Sequence, residues 1–231
     1  MTDDFARRVT AVAALAEEVR RDLYLYVVAE PEPVSRDQAA AGVGVPRHTA
    51  KFHLDRLVED GLLETEFRRL SGRQGPGAGR PAKLYRRSPG EVTVSLPERH
   101  YDLAGRLLAG AIEESSRDGT PVVAALRSGA QSFGAGLGAE ARTRAGSPVT
   151  AAAAQSAACD VLAEHGYEPR LADGSITLQN CPFHQLAQEH TDLVCGMNLD
   201  LVGGLAAALD GHLTPRLDPA DGRCCVVLDT A

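Results

Sequence analysis

The sequence predicts an α+β protein with two domains, and three observations support this prediction. Apolar residues recur at three- and four-residue spacing through much of the chain, with short strand-like runs between the helical segments. Residues 1–90 carry 15 Lys and Arg against 13 Asp and Glu, whereas residues 91–231 carry 9 against 18. Between them, residues 88–97 show little periodicity. We therefore predict domains at 1–90 and 91–231.

The N-terminal domain is predicted to begin with three helices. Apolar spacing indicates a helix at 9–28, and a Pro-rich segment ends it. Ser35 can cap a short helix at 36–41, because a serine hydroxyl can accept a hydrogen bond from a free N–H of the first turn. The third helix begins at Pro46 and ends at Gly61, which suits a left-handed cap.

A hairpin is predicted to follow the third helix. It comprises a strand at 62–67, a Gly-, Pro- and Arg-rich tip at 70–82 and a returning strand at 83–86. Helix, short helix, tight turn, helix and hairpin is the order of a winged helix-turn-helix, in which the third helix enters the major groove of double-stranded DNA. The alternative interpretation is a protein-interaction module built from the same elements.

Basic residues favour DNA as the partner of this domain. Residues 68–87 contain seven Lys and Arg and no acid, which is typical of a phosphate-binding patch. The outward face of the third helix carries side chains that can bind base edges, thymine methyls or phosphates. The candidate DNA-binding residues are Arg47, His48, Lys51, Phe52 and Arg56 on the helix, and Arg73, Arg80 and Lys83 on the wing.

The second domain is predicted to mix helices and strands and to serve sensing and dimerisation. The helices at 121–144 and 148–165 are rich in Ala and Gly, so we expect them to pack closely. The other predicted elements are helices at 97–117 and 195–209, a short helix from 182, and strands at 167–171, 175–180, 214–217 and 224–228.

All five cysteines follow residue 158. No apolar run is long enough to span a membrane, and the acids at positions 3 and 4 are unlike a signal peptide, so we expect a cytoplasmic protein. Disulfides are rare in that compartment, which favours metal or redox chemistry for the cysteines. Cys159, in an Ala-rich helix, is expected to be a buried apolar residue.

The other four cysteines are candidate metal ligands. Cys181 precedes a predicted helix on which His184 lies one turn along, and Cys195 is placed at a helix start, where the helix dipole favours thiolate. Cys224 and Cys225 are adjacent on a predicted strand, so their side chains should point to opposite faces and only one should join a shared site. Three thiolates and an imidazole suit zinc or an iron-sulfur cluster, and the lack of Cys-x-x-Cys pairs favours the cluster. Inert core thiols are the alternative.

Four segments carry a family resemblance. They are GRPAKLY at 79–85, NCPFH at 180–184, VCGMN at 194–198 and GRCC at 222–225. Together with the winged helix, these segments resemble the SufR-type iron-sulfur transcriptional regulators, relatives of the ArsR and DeoR repressors. The resemblance implies a homodimeric repressor of iron-sulfur cluster assembly genes, with a 4Fe-4S cluster in each C-terminal domain and an inverted repeat as operator.

The sequence departs from the four-cysteine form of this family. Thirteen residues separate Cys181 from Cys195, as in that form, but the flanking positions are Glu168 and Asp210, which are not thiols. The chain is more similar to the actinobacterial relatives, in which Cys224 or Cys225 would be the third thiol. The expected thiol ligands are Cys181, Cys195 and one of the adjacent pair, with Cys224 chosen over Cys225. The fourth ligand is open: His184 is the first choice, and a carboxylate or an exchangeable small ligand is the alternative.

Two other functions compete with this interpretation. A winged-helix repressor could respond to zinc, or to a small hydrophobic effector held in an Ala- and Gly-lined cavity, with structural cysteines. An enzyme with Cys181 as nucleophile and His184 as base is not expected, because the sequence shows no recognisable carboxylate to orient the base and no oxyanion loop.

Overall fold

The computed structural model describes residues 3–69, 81–172 and 174–230. The chain divides into two units, Met1–Val94 and Ser95–Ala231, each with its own apolar core. An N-terminal helix-turn-helix unit is followed by mixed helices and antiparallel strands, so the predicted α+β class is confirmed. No helix within the described ranges combines the length and apolar character needed to cross a membrane.

The first unit contains four helices and three strands among its described residues. A three-stranded antiparallel sheet has the order β1-β3-β2. The elements are α1 (Asp3–Ala14), α2 (Glu18–Ala29), β1 (Val34–Ser35), α3 (Arg36–Val43), α4 (Arg47–Glu59), β2 (Leu63–Arg68) and β3 (Ala82–Arg87).

The single helix predicted at 9–28 is wrong, because the chain forms two helices there. The N–H of Leu15 donates to the Val12 carbonyl, a tight turn that ends α1. The Glu17 carboxylate then accepts from the N–H of Arg20 and caps α2. Apolar periodicity continues from α1 into α2, so the sequence pattern did not reveal the helix cap at Glu17.

The following helices match the prediction more closely. Ser35 and Gln38 form a reciprocal capping box at the start of α3, and Gly44, at φ 75°, ends that helix. Pro46 precedes α4, and Gly61, at φ 76°, turns the chain after it. The inward residues of α4 are fully buried; they are Ala50, Leu54 and Leu57.

The hairpin strands are also present, with Leu63 opposite Arg87 and Arg68 opposite Ala82. The sequence missed β1, a two-residue strand beside a Pro-rich segment, which pairs with β3. Residues 70–80, at the predicted wing tip, lie outside the described residues, and so do the candidates Arg73 and Arg80.

The second unit packs five helices and an antiparallel sheet of order β4-β5-β7-β6 around one core in its described residues. Its elements are α5 (Tyr101–Asp118), α6 (Val122–Ala145), α7 (Ala151–Glu164), β4 (Pro169–Ala172), β5 (Ser175–Leu178), α8 (His184–Glu189), α9 (Thr191–Ala207), β6 (Leu213–Leu217) and β7 (Val226–Thr230).

Glycines allow α6 and α9 to pack backbone against backbone. A Cβ atom at Gly134 would lie 1.9 Å from the Leu201 carbonyl oxygen, and one at Gly204 would lie 2.2 Å from the Gln131 carbonyl oxygen. The glycines of α6 that the sequence predicted to allow close packing therefore lie in contact with α9.

Two helix starts differ from the prediction. α5 begins at Tyr101 rather than residue 97, because the Arg99 N–H donates to Ser95 Oγ and the His100 N–H to the Pro182 carbonyl. α9 begins at Thr191 rather than residue 195, directly after α8.

Candidate functional site

The outward face of α4 carries the predicted DNA-binding side chains of that helix. All five are exposed, and the Phe52 ring is 66% exposed. An aromatic ring this accessible beside cationic side chains is suited to contact with a thymine methyl or a sugar. These residues are Arg47, His48, Lys51, Phe52 and Arg56.

Two arginines on this face already pair with carboxylates. Arg47 contacts Asp37, and Arg56 lies 3.1 Å from Asp60 and 3.5 Å from Glu59. The Arg47–Asp37 pair is exposed, and such pairs typically contribute about 0–1 kcal/mol, so exchanging Asp37 for phosphate costs little. The Asp60 side chain is buried, so Arg56 is held more firmly. Within the described ranges, no salt bridge involves Lys51, which leaves its ammonium group available to an incoming anion.

Lys83 is tied to α4 through Asp55. Lys83 Nζ lies 2.6 Å from Asp55 Oδ1, and the Tyr85 hydroxyl donates to the same oxygen at 2.9 Å. Partial burial raises the pKa of Asp55, but the bonds from Lys83 and Tyr85 outweigh it and lower that pKa. The contacts fix β3 against α4, a role of Asp55 and Tyr85 that the sequence did not reveal.

The second candidate site is a group of four cysteines, here called the thiol site: Cys181, Cys195, Cys224 and Cys225. Cys181 follows β5, Cys195 lies in α9, and the adjacent pair immediately precedes β7. Three of these thiols have a pKa that a neighbouring thiol changes: Cys181 is affected by Cys224, Cys195 by Cys225, and Cys224 by Cys181 and Cys225. Three separate segments therefore bring four sulfurs into one continuous chain of contacts.

Burial and neighbouring thiols hold Cys181, Cys195 and Cys224 in the thiol form. The bond to Cys224 and burial raise the pKa of Cys181 far above its usual range, and burial raises that of Cys195. The bond from Cys181 lowers the pKa of Cys224, but the bond to Cys225 and burial raise it to about 11. The expected helix-start position of Cys195 is wrong: it is the fifth residue of α9, beyond the free N–H groups of the first turn.

The structure also changes the expectation for the adjacent cysteines. The strand rule of opposite faces does not apply, because β7 begins only at Val226. The Cys224 N–H donates to the Leu178 carbonyl, and the Cys225 carbonyl accepts from Asp218. In this turn both side chains reach the thiol site.

His184 is the first residue of α8, and its side chain is exposed. Its backbone N–H donates to the Cys181 carbonyl at 3.1 Å. In the part of the chain that the structure describes, no hydrogen bond joins its imidazole to the four thiols. Cys159 lies half-buried on α7 and packs against the apolar core.

Polar side chains that the sequence did not single out surround the thiol site. The Asn198 amide donates to Cys224 Sγ at 3.2 Å, and the Tyr167 hydroxyl donates to Asn198 Oδ1 at 2.6 Å. Complete burial raises the pKa of Tyr167 well above its usual value, so the phenol keeps its proton. A direct signal in the sequence is absent, because residues 167, 198 and 224 are far apart along the chain.

Arg99 connects the thiol site to the segment that precedes α5. Its guanidinium donates to Asn180 Oδ1 and, at 3.2 Å, to the Cys181 carbonyl. The buried Asn180 amide donates to the Glu98 carbonyl at 3.0 Å, and the His100 N–H to the Pro182 carbonyl at 3.0 Å. Residues 98–100 are therefore held by the loop that carries Cys181.

A cavity of about 300 Å³ opens beside Cys195 and Cys225. Its wall includes Arg127, Asp192 and Asp200, so a polar route leads to one side of the thiol site. Among the described residues, no three His, Cys, Asp or Glu side chains converge closely enough to hold a metal ion as they stand. The four thiols are therefore neighbours, but in the described residues they do not have the arrangement of a closed single-metal site.

Residues 15–66 match the family described as Helix-turn-helix domain. The match runs from the turn before α2 into β2, and so includes α3 and α4. No curated protein and no solved structure matches the chain. The chain therefore contains a helix-turn-helix domain, which indicates a DNA-binding transcriptional regulator, a class of proteins that is generally not enzymatic.

Proposed function

We propose that this chain is a homodimeric transcriptional repressor that senses iron or redox state through a 4Fe-4S cluster held at the thiol site. The observation that carries the proposal is the contact chain of four cysteines from three segments. Thiolates are the usual ligands of iron-sulfur clusters. The resemblance to SufR-type regulators supports iron-sulfur assembly genes as targets and an inverted repeat in double-stranded DNA as operator.

The proposed ligands are Cys181, Cys195 and Cys224, with Cys225 as the fourth. Cys225 replaces His184 in this position because it contacts two of the other thiols. The donor type and number of these residues suit the cluster, and the cavity beside Cys195 and Cys225 offers space for iron and sulfide to enter. When bound, the cluster would supply a redox-active centre whose loss is the signal. Binding requires thiolates, so the high pKa values predict that loading releases protons.

DNA binding is assigned to α4 and the wing. Arg47, His48 and Phe52 are proposed to contact base edges, and Lys51 and Arg56 the backbone. Arg73, Arg80 and Lys83 are proposed as wing contacts, because the basic segment that carries them includes no acid. In a symmetric dimer, the two recognition helices would read half-sites about 34 Å apart, one turn of DNA.

Arg99 is proposed to transmit the state of the thiol site. With the four thiolates tied together, the Cys181 loop stays in place, and Arg99 keeps the segment before α5 against it. Without that constraint the loop loosens and releases this segment, which directly follows the DNA-binding unit in the chain. The distance between the two recognition helices of the dimer then varies, and the affinity for the operator falls.

The competing effector hypothesis receives less support. The Ala- and Gly-rich faces of α6 and α9 contact one another directly, and the cavity beside the thiol site has charged side chains in its wall. The first feature disfavours a small hydrophobic effector between these two helices. Zinc remains a measurable alternative, because four thiolates are also a zinc ligand set.

The test is the metal and sulfide content of the full chain purified without oxygen. The proposal expects brown protein with broad absorbance near 400 nm and about four irons and four sulfides per chain. Colourless protein that resists reconstitution with iron and sulfide contradicts the cluster. One bound zinc per chain would support a zinc-dependent regulator instead.

A further inference from the structure

We infer that Asn198, oriented by Tyr167, is a positioning residue that donates a hydrogen bond to the metal-bound sulfur of Cys224 and raises the reduction potential of the cluster. This inference rests on the proposed function, because it assigns a role to the surroundings of the same thiol site.

The burial of Asn198 calls for an explanation. Its side chain is 1% exposed, and Asn198 and Asn180 are the buried polar residues among those described. Burying an amide without hydrogen-bond partners is unfavourable, because the group loses its hydrogen bonds to water. Asn198 meets this cost with the Tyr167 hydroxyl at 2.6 Å and Cys224 Sγ at 3.2 Å.

The Tyr167 hydroxyl determines which end of the amide faces the sulfur. A protonated phenol donates to the amide oxygen, so the NH₂ group of Asn198 must point to Cys224. A metal-bound thiolate has no proton and can only accept hydrogen bonds. The amide is thus already turned in the direction that a loaded site requires.

A donor aimed at a ligand sulfur favours the more negative, reduced state of the cluster. Hydrogen bonds to cluster sulfurs are among the means by which proteins set reduction potentials. The Val226 backbone N–H also lies 3.5 Å from Cys224 Sγ, but substitution of side chains leaves that donor in place. Asn198 is therefore the donor to this sulfur that mutagenesis can remove.

The experiment is a reductive titration of the loaded full chain in three variants. Asn198→Leu keeps the size of the side chain and removes the donor. Tyr167→Phe keeps the amide and removes the group that orients it. Tyr26→Phe, in the N-terminal unit, removes the same atom from a tyrosine without a role at the thiol site. Iron and sulfide content and the thermal midpoint of the metal-free chain are measured for each.

We expect Asn198→Leu to keep its iron and sulfide and to shift the midpoint reduction potential to a lower value. Tyr167→Phe should shift it less in the same direction, and Tyr26→Phe should leave it unchanged. A loaded Asn198→Leu chain with the wild-type potential overturns the inference, even if its metal-free form is less stable.

If Asn198→Leu does not fold, Tyr167→Phe decides the matter. A lower potential supports the inference, and an unchanged potential overturns it. Failure of the wild-type chain to bind a cluster is a different result. That outcome contradicts the proposed function, and the inference falls with it.

Discussion

The two candidate sites of this chain differ in how they are built. The DNA-binding face of α4 is exposed, comes from a single helix, and has arginines paired with nearby carboxylates. The thiol site is largely buried, and its neighbouring sulfurs come from three segments. The first site needs only the N-terminal unit to fold, whereas the second needs the C-terminal unit.

This difference predicts how substitutions act. On α4, removing a side chain should change DNA affinity and leave stability almost unchanged, because exposed positions rarely contribute more than about 0.5 kcal/mol. At the thiol site, exchanging one sulfur for oxygen should abolish binding of the proposed cluster, because every ligand position is required. The following four predictions test this comparison.

Loss of one sulfur should have the largest effect. Cys195→Ser replaces a thiolate by a hydroxyl that binds iron poorly, so we expect almost complete loss of absorbance near 400 nm and of bound iron. Cys159→Ser is the matched control, because Cys159 lies on α7 and packs against the core. A Cys195→Ser chain that keeps its full iron content would show that the ligand set is wrong.

Arg47→Ala should weaken operator binding by about 1–3 kcal/mol if this side chain reads a base edge. Fluorescence anisotropy with double-stranded DNA selected by the wild-type chain measures the effect. Arg106→Ala, at an exposed arginine of α5, is the control and should bind as the wild type does. Equal DNA affinity of the Arg47→Ala and Arg106→Ala variants would contradict the assignment of α4 to the DNA interface.

Arg99→Ala should reduce the effect of the thiol site on DNA affinity. The cluster should remain bound, since Arg99 contacts the Cys181 carbonyl rather than its sulfur. A typical coupling of about 1–3 kcal/mol, or 5- to 150-fold in affinity, should shrink toward onefold. Titration of DNA with loaded and iron-free protein gives this ratio, and an unaltered ratio would exclude Arg99 from the transmission.

Asp55→Asn should have the smallest effect, a loss of about 1 kcal/mol of folding stability, because the bond to Lys83 is partly exposed. The folded-state pKa of Asp55 is lowered, so its contribution is present above the unfolded pKa of about 4 and is lost as the pH falls through the folded value. Urea unfolding should therefore show a difference from wild type at pH 7 that narrows below pH 4. Glu59→Gln, at an exposed ion pair, is the control. An equal loss of folding stability in that variant would show that the contacts of Asp55 stabilise the fold no more than an exposed ion pair does.

The sequence predicted local features of the fold well. Ser35 and Gly61 mark helix ends because capping and left-handed turns depend on neighbouring residues alone. The break at Glu17 escaped prediction because apolar spacing continues across it. The short strand β1 exists only because β3 pairs with it, and no local pattern indicates such a partner.

The thiol site was predicted less completely. Cysteine chemistry and the resemblance selected Cys181, Cys195 and Cys224, but the side-chain directions depend on where α9 and β7 begin. Those starts placed Cys225 with the other thiols and left His184 exposed. Tyr167, Asn198 and Arg99 were missed because their roles arise from contacts between distant segments.

The central claim is that the state of the thiol site controls binding to DNA. The most direct measurement is the dissociation constant for selected DNA of one oxygen-free preparation before and after its iron is removed by a chelator. We expect tighter binding by the loaded protein, about 5- to 150-fold, and recovery of that affinity when iron and sulfide are restored. Equal dissociation constants in the loaded and iron-free states would contradict the claim.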